Sequence, residues 1–592
     1  WLKHARASVG RPPTFISSIA SWQATHFRRQ KIRLGAEARV SKMSTTISLA
    51  AGKAKLVMLK DEHNNPKVLC DAVVPACKVA QQLKSISGTR EFSDEEMSYI
   101  QAEAGDEKDQ AKPGLKEEYT MKPYLGCLDM PTDDSTTETT PVVLTIKPPS
   151  GDKRVPVDIC CVIDISGSMG TEATIQSAAG TTESHGLTLL DIAKHGLRTV
   201  ISTLSAADRL SLVLFNQSGE LVFPLKVMDD DGRAMALEKL DNVREGGGTN
   251  IWNGLEMGLK QLKDGEGTGR IGHIMLLTDG QTNQRDQVMP NLEKYKDTHE
   301  SLPGTVNTFG FGYNIDSDLL CRMSHFGDGT YSFIPDAGFV GTVFVKTLSN
   351  LLVTIGREMT VVLEVENVDD VDAVAVFGQH KTRKKDNIHH ISMGTLQLEQ
   401  NRSLVFAVKA SNGKDSPNVV AQVSFMGAQG KVEADSVEIA LSPTEDKGGN
   451  EVERELLRSR YIDTVMSCLL TMQASRGDMQ RGLDKASKSM KLLGEAMKGS
   501  SAADDDFIQA LLQDVQGQSL EAVSKREWFD KWGVHYLPSI MFAHRAQQSN
   551  NFKDPSVQNY GGEVFNNMVD DADDIFNKLP APTPSARRYS YG

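Results

Sequence analysis

Three features of the sequence predict an α/β chain: a doubly wound parallel sheet, flanked by an antiparallel β-sandwich and followed by a helical region. Between Val155 and about Leu352, apolar strand-like runs alternate with amphipathic helical ones, the order of a parallel sheet covered on both faces. After Arg357 the hydrophobic period falls to two, as in half-buried strands. From Asn450 the period is helical. A chain of 592 residues has length for about four domains of roughly 150 residues each.

Residues 1–42 hold nine Lys or Arg and a single acidic residue, Glu37, so they carry +8 while the remainder carries −21. The first methionine is Met43. This basic leader reads as sequence outside the mature protein, with an Arg-rich organellar transit segment as the alternative. Residues 43–139 parse poorly, with one strand-like run at Ala54–Leu59 before polar and acidic sequence, consistent with partial disorder. Residues 140–154 contain the strand TPVVLTIK, ended by Pro148 and Pro149, which joins the later sandwich and makes the α/β domain an insertion.

The α/β domain spans 155–354, with strand-like runs VPVDICCVIDI, RLSLVLFN, LVFPLKVM, IGHIMLLTDG, VNTFGFG and YSFI. In such sheets ligands bind beyond the carboxyl ends of the strands. The sandwich spans 355–445, its runs separated by Asn, Gly and Asp turns, and the helical region spans 446–546. Residues 547–592 are Ser/Asn/Gly-rich, then acidic at Asp570, Asp571, Asp573 and Asp574, and end Pro-rich, the composition of a flexible or docking tail.

Hydrophobic residues make up 39% and charged residues 24% of the chain, with a mean hydropathy of −0.33. No run approaches the roughly 18 apolar residues of a membrane span. A net charge of −13 repels phosphate backbones, which excludes nucleic acid as the expected partner. Seven cysteines are few and odd in number, so a disulfide scaffold is not expected and a reducing, cytoplasmic setting is. Cys70 and Cys77 lack the second pair of ligands that zinc needs. Cys160 and Cys161 are consecutive in an apolar strand and face opposite sides of it.

The chemistry concentrates after the first core strand. Asp164, Ser166 and Ser168 alternate in a tight turn, Thr249 follows three glycines, and Asp279 ends another apolar run, IMLLTD. Two carboxylates and three hydroxyls are all hard oxygen donors, which suit Mg²⁺ or Mn²⁺ and disfavour zinc and copper. In this order the DxSxS turn, the GGGT threonine and the TDG aspartate resemble the metal-ion-dependent adhesion site of the von Willebrand factor A domain, a Rossmann-like fold. The resemblance covers about 200 residues of the chain. It implies Ser166 and Ser168 as direct ligands, Thr249 as a direct ligand exchangeable for a water-mediated contact, and Asp164 and Asp279 as ligands acting largely through water. It also implies an open coordination position that takes an Asp or Glu from a protein partner. Gly170 to Gly186 forms a polar loop beside this motif that selects or gates ligands.

Other motifs are weaker. GEGTG at Gly265 to Gly269 precedes a strand, unlike a phosphate-binding loop, and no GxxxxGK[ST], HExxH or GxSxG pattern is present. His389 and His390 follow the basic run HKTRKKDN in a turn-like, solvated segment. Trp528, Phe529 and Trp532 read as core or interface anchors. The expected function is a non-enzymatic, Mg²⁺-dependent interaction scaffold whose helical region and tail support assembly. The alternatives are a component of a ubiquitin-ligase-type protein, for which Cys70, Cys77 and Cys127 are too few to build a RING, and a secreted or surface adhesion or channel-accessory protein.

Overall fold

The computed structural model describes residues 46–51, 59–60, 66–67 and 139–584, apart from 152–153, 177–181, 283, 367–373, 410–417, 435, 441–448, 476 and 550–553. The basic leader, nearly all of the Ala54–Leu59 run, and Cys70, Cys77 and Cys127 lie outside the described residues. Among the described residues, no helix is long and apolar enough to cross a membrane.

Strand β1 (Thr46–Ala51) pairs antiparallel with β2 (Thr139–Lys147). The chain then enters the α/β unit through β3 (Val157–Asp164), a hairpin of β4 (Glu172–Gln176) and β5 (Thr182–Thr188), and α1 (Leu189–Thr203). It continues through β6 (Arg209–Phe215), β7 (Gly219–Val227), α2 (Asp230–Asp241), α3 (Ile251–Asp264) and β8 (Ile271–Thr278). The unit ends with α4 (Arg285–His299), β9 (Thr305–Phe311), α5 (Ser317–Phe326), β10 (Asp328–Ile334) and α6 (Val340–Leu352).

The sheet order is β10-β9-β8-β3-β6-β7. All neighbours are parallel except β6 and β7. The predicted all-parallel sheet is therefore mixed at one edge, because the three residues between β6 and β7 can join only antiparallel strands. Every residue of β3 and β8 is buried, as central strands covered on both faces must be. Helices α3, α4 and α5 cover one face with Cys160, and α1, α2 and α6 cover the other with Cys161. The segment expected as a polar loop carries the β4–β5 hairpin. Its exit is fixed by a capping box, in which Asp191 N donates to Thr188 Oγ1 at 3.1 Å and Thr188 N donates to Asp191 Oδ2 at 2.9 Å.

One residue after α6 the chain enters β11 (Thr354–Glu366), then β12 (Val374–Val376), β13 (Lys381–Lys385), β14 (Ile388–Gln397), β15 (Arg402–Lys409), β16 (Asn418–Gly427), β17 (Gly430–Glu433) and β18 (Val437–Ala440). One sheet runs β1-β2-β15-β12 and the other β13-β14-β11-β16-β17, with β18 also on β16. Val142, Leu144, Ile146, Leu404 and Phe406 of the first sheet meet Val361, Leu363, Ile391, Val419 and Val423 of the second in one core. The α/β unit thus lies between two sandwich strands, β2 and β11. The His389 segment is strand, not solvated turn, and His389 is buried. The turn is Asp386-Asn387, and the basic residues before it form the edge strand β13, where lysines oppose edge-to-edge pairing.

The helical region packs α7 (Gly449–Ala474), α8 (Met479–Lys498), α9 (Asp506–Asp514) and α10 (Val534–Ala546). Its apolar residues share a core with Val143, Val405 and Ala407 of the sandwich and with the α3–α5 face of the α/β unit. The expected flexible tail contains α11 (Glu563–Lys578). The acidic run belongs to a helix whose opposite side is apolar: Val564, Phe565 and Val569 pack on the sandwich core, Met568 touches that core and the α/β core, and Phe576 lies against His195 at 4.9 Å between ring centroids. Full burial of Phe565 contributes about 1.5–3 kcal/mol, enough to fix a helix whose exposed side reads as a tail.

Candidate metal centre

Asp164 stands where the buried strand β3 ends, and the turn after it folds back on its carboxylate. Ser166 N donates to Asp164 Oδ1 at 2.8 Å, and the Ser166 and Ser168 hydroxyls lie 3.0 Å apart. On the neighbouring strand, Thr278 Oγ1 donates to Asp164 Oδ2 at 2.6 Å and accepts Gly280 N at 2.8 Å. Asp279 follows at once, is 5% exposed, and is hydrogen-bonded by Ser168. Gly280 has φ +79°, a left-handed turn suited to glycine.

The three-glycine loop closes over the turn. Gly167 N donates to Gly247 O at 3.0 Å, Gly246 N to Ile165 O at 2.7 Å, and Asn216 Nδ2 to Gly246 O at 2.9 Å. Gly247 has φ +92°, and a Cβ there would stand 3.0 Å from Asn216 Nδ2. This loop delivers Thr249, whose carbonyl accepts Thr282 Oγ1 at 3.0 Å. The Thr249 hydroxyl has no hydrogen-bond partner among the described residues.

Four of the five sequence-predicted residues, Asp164, Ser166, Ser168 and Asp279, therefore form one interacting group, and Thr249 is held beside them by its backbone. Sequence reasoning missed Thr278 and Asn216, which orient the group without belonging to its motif. A lone hydroxyl ending the apolar run Ile274–Leu277 of β8 is the signal for Thr278; the Asn216 signal is only its place just after β6.

The electrostatics of the group are unbalanced. Burial pushes the Asp164 carboxyl up to about 6, against the hydrogen bonds from Ser166 and Thr278, and the charge of Asp279 adds to the rise. Burial likewise raises Asp279. Its Oδ1 is buried with no hydrogen-bond partner, and neither carboxylate forms an ion pair among the described residues. An orphaned anionic oxygen beside paired hydroxyls fits a hard divalent cation, since buried carboxylates need pairing or a metal. Ser168 is exposed and Thr249 half-buried, so the group faces solvent.

The von Willebrand factor type A domain family matches residues 159–281, which contain all five oxygen-bearing residues. A second family, described as VWA / Hh protein intein-like, matches residues 505–574 in the helical region. The chain is 26% identical over 293 residues to the uncharacterized protein sll0103 of Synechocystis sp., covering 48% of this chain and 64% of that protein. It is 31% identical over 166 residues to the E3 ubiquitin-protein ligase WAV3 of Arabidopsis thaliana, covering 27% of this chain and 20% of the ligase. It is 24% identical over 187 residues to human inter-alpha-trypsin inhibitor heavy chain H2, covering 30% of this chain and 17% of that one. The chain thus spans less than two thirds of each of these relatives. Among solved structures, a von Willebrand factor type A protein from Catenulispora acidiphila shares the fold, with a TM-score of 0.51 at 16% identity over 68% of this chain and 93% of that one. The α/β unit inserted in the sandwich is a von Willebrand factor type A domain.

Proposed function

We propose that the protein is a divalent-cation-dependent interaction scaffold that captures a partner's Asp or Glu side chain at the Asp164–Asp279 pole. The observation that carries this reading is the buried, unpartnered Asp279 Oδ1 beside the paired Ser166 and Ser168 hydroxyls. Ser166, Ser168 and Thr249 would hold Mg²⁺ or Mn²⁺ through neutral oxygens, with Asp164 and Asp279 balancing its charge through water. When bound, the ion supplies a Lewis-acidic position that a foreign carboxylate completes, and neutral ligands leave that position electrophilic.

The chain's own residues orient and select. Thr278 and the Ser166 backbone fix the Asp164 carboxylate, and Asn216 holds the glycine loop that carries Thr249. The β4–β5 hairpin and Glu245, whose side chain packs on Gly170, border this pole and set which partners fit. The proposed setting is cytoplasmic, consistent with Cys160, Cys161 and Cys321 being free and buried.

Calorimetric titration of the full chain with Mg²⁺, followed by capture of acidic peptides with and without EDTA, tests the reading. Saturable Mg²⁺ binding and EDTA-sensitive capture are expected, both lost in Asp164→Ala and Ser166→Ala. Capture that persists in EDTA and in both variants refutes it. Similarity to plant proteins named as E3 ubiquitin-protein ligases favours one second reading, in which the same pole captures the substrate of a ubiquitin-transfer complex. Ubiquitination that depends on this chain and is lost with Asp164→Ala is its test.

A further inference from the structure

A second polar pocket lies far along the chain from the metal centre, where the α/β unit, the sandwich and the helical region meet. It is a cavity of about 30 Å³, room for one or two water-sized spheres. Its working residues are His325 of α5, Asp328 of β10, Lys381 of β13 with its neighbour His380, and Arg545 of α10.

The charges around it do not balance. Lys381 Nζ lies 3.4 Å from Asp328 Oδ1, and Asp328 is the one acidic residue in the lining. The Arg545 guanidinium sits over the Phe542 ring at 4.1 Å and donates to no described residue. His325 is 7% exposed, stands edge-on to the same ring, and both its ring nitrogens are buried without a hydrogen-bond partner. Immediately behind the wall, Arg402 donates to the carbonyls of Thr395 and Met393, two lining residues, and meets no carboxylate among the described residues. A half-buried guanidinium with no hydrogen-bonded anion and a buried imidazole without a partner are each costly. Three elements nevertheless converge them on one small space.

We infer that this cavity is a binding site for a small inorganic monoanion of halide size, held by the Arg545 guanidinium, a ring N–H of His325 and the Lys381 ammonium. Such an ion completes the charge of Lys381, Arg545 and Asp328 and gives the His325 ring an acceptor. Burial lowers the Lys381 ammonium to about 8 and the Arg545 guanidinium to about 10, and Asp328 opposes both shifts. An anion opposes them further. The cavity is too small for a nucleotide or sugar, and its walls come from all three parts of the molecule, so the ion acts as a clasp between them.

Thermal unfolding of the full chain tests this at constant ionic strength, as sodium gluconate is replaced by sodium chloride, sodium bromide or sodium sulfate. A ligand that binds only the folded state raises the melting temperature along a saturation curve. Saturating rises with chloride and bromide, and none with sulfate, are expected. Arg545→Gln and Lys381→Met each shift half-saturation about tenfold higher, the effect of one lost charge-assisted hydrogen bond. Equal responses to chloride and gluconate, a saturating sulfate response, or unchanged half-saturation in both variants overturns the proposal. Should the variants fail to fold, crystals of the unaltered chain in bromide decide. An anomalous peak between Arg545 and His325 supports the site, and bromide found only elsewhere overturns it.

Discussion

Two pairs of buried carboxylates in this molecule face the same electrostatic problem and resolve it differently. Asp164 and Asp279 lie at the carboxyl ends of β3 and β8, whereas Asp514 ends α9 and Asp554 lies in the segment that follows α10. Burial raises all four, and within each pair one carboxylate raises the other. Each pair also has one buried oxygen without a partner, Asp279 Oδ1 and Asp554 Oδ2. The second pair is sealed: Ser556 N donates to Asp514 Oδ2 at 2.9 Å and Tyr536 OH to Asp554 Oδ1 at 2.8 Å, with Ser556, Tyr536 and His544 all buried. A proton retained by the pair would satisfy it. The first pair has the exposed Ser168 hydroxyl and the half-buried Thr249 beside it, and a cation from solvent can satisfy it. A raised carboxylate therefore does not by itself mark a binding site; the two pairs differ in the neutral oxygens open to water beside the first.

Substitutions can break this contrast, the largest effect coming first. Asp164→Ala should abolish Mg²⁺ binding in calorimetry while the far-UV circular dichroism is unchanged. Thr278→Val should weaken Mg²⁺ affinity by about 10–100-fold, the usual consequence of losing the group that orients a ligand, and the same titration checks it. Ser556→Ala strips the hydroxyl donor from Asp514 and should lower stability by about 1–3 kcal/mol in urea unfolding while Mg²⁺ affinity stays unchanged. Asp514→Asn sharpens the contrast through pH. Because the folded protein holds the Asp514 proton more tightly than the unfolded chain does, its contribution is fully present below the unfolded carboxyl value, about 3.9, and is lost as pH rises through the raised folded value. Urea midpoints measured from acid to alkaline pH should therefore fall less steeply in Asp514→Asn than in the unaltered chain. An equally steep fall would place the proton elsewhere.

The candidate site was legible because its oxygen-bearing residues end apolar runs: Asp164 after ICCVI and Asp279 after IMLLT are polar where a buried strand ends. The same reasoning passed over Thr278, one hydroxyl adjacent to a more conspicuous aspartate. Helix α11 was hidden for the opposite reason, since four aspartates between Asp570 and Asp574 outweigh an apolar side formed by Val564, Phe565, Met568 and Val569. The basic cavity could not be read from the chain at all. Its residues come from segments near 325, 380, 393 and 545, and only the packing of α10 against β10 and β14 brings them together.

The way the α/β unit is spliced into the sandwich has a mechanical consequence. Both of its connections leave through interior strands, β2 in one sheet and β11 in the other, and only Val353 separates α6 from β11. A tensile load applied at the Asp164 pole cannot peel away a terminal strand. It must shear two hydrogen-bonded ladders at once, so the sandwich is the anchorage for any load that the α/β unit carries.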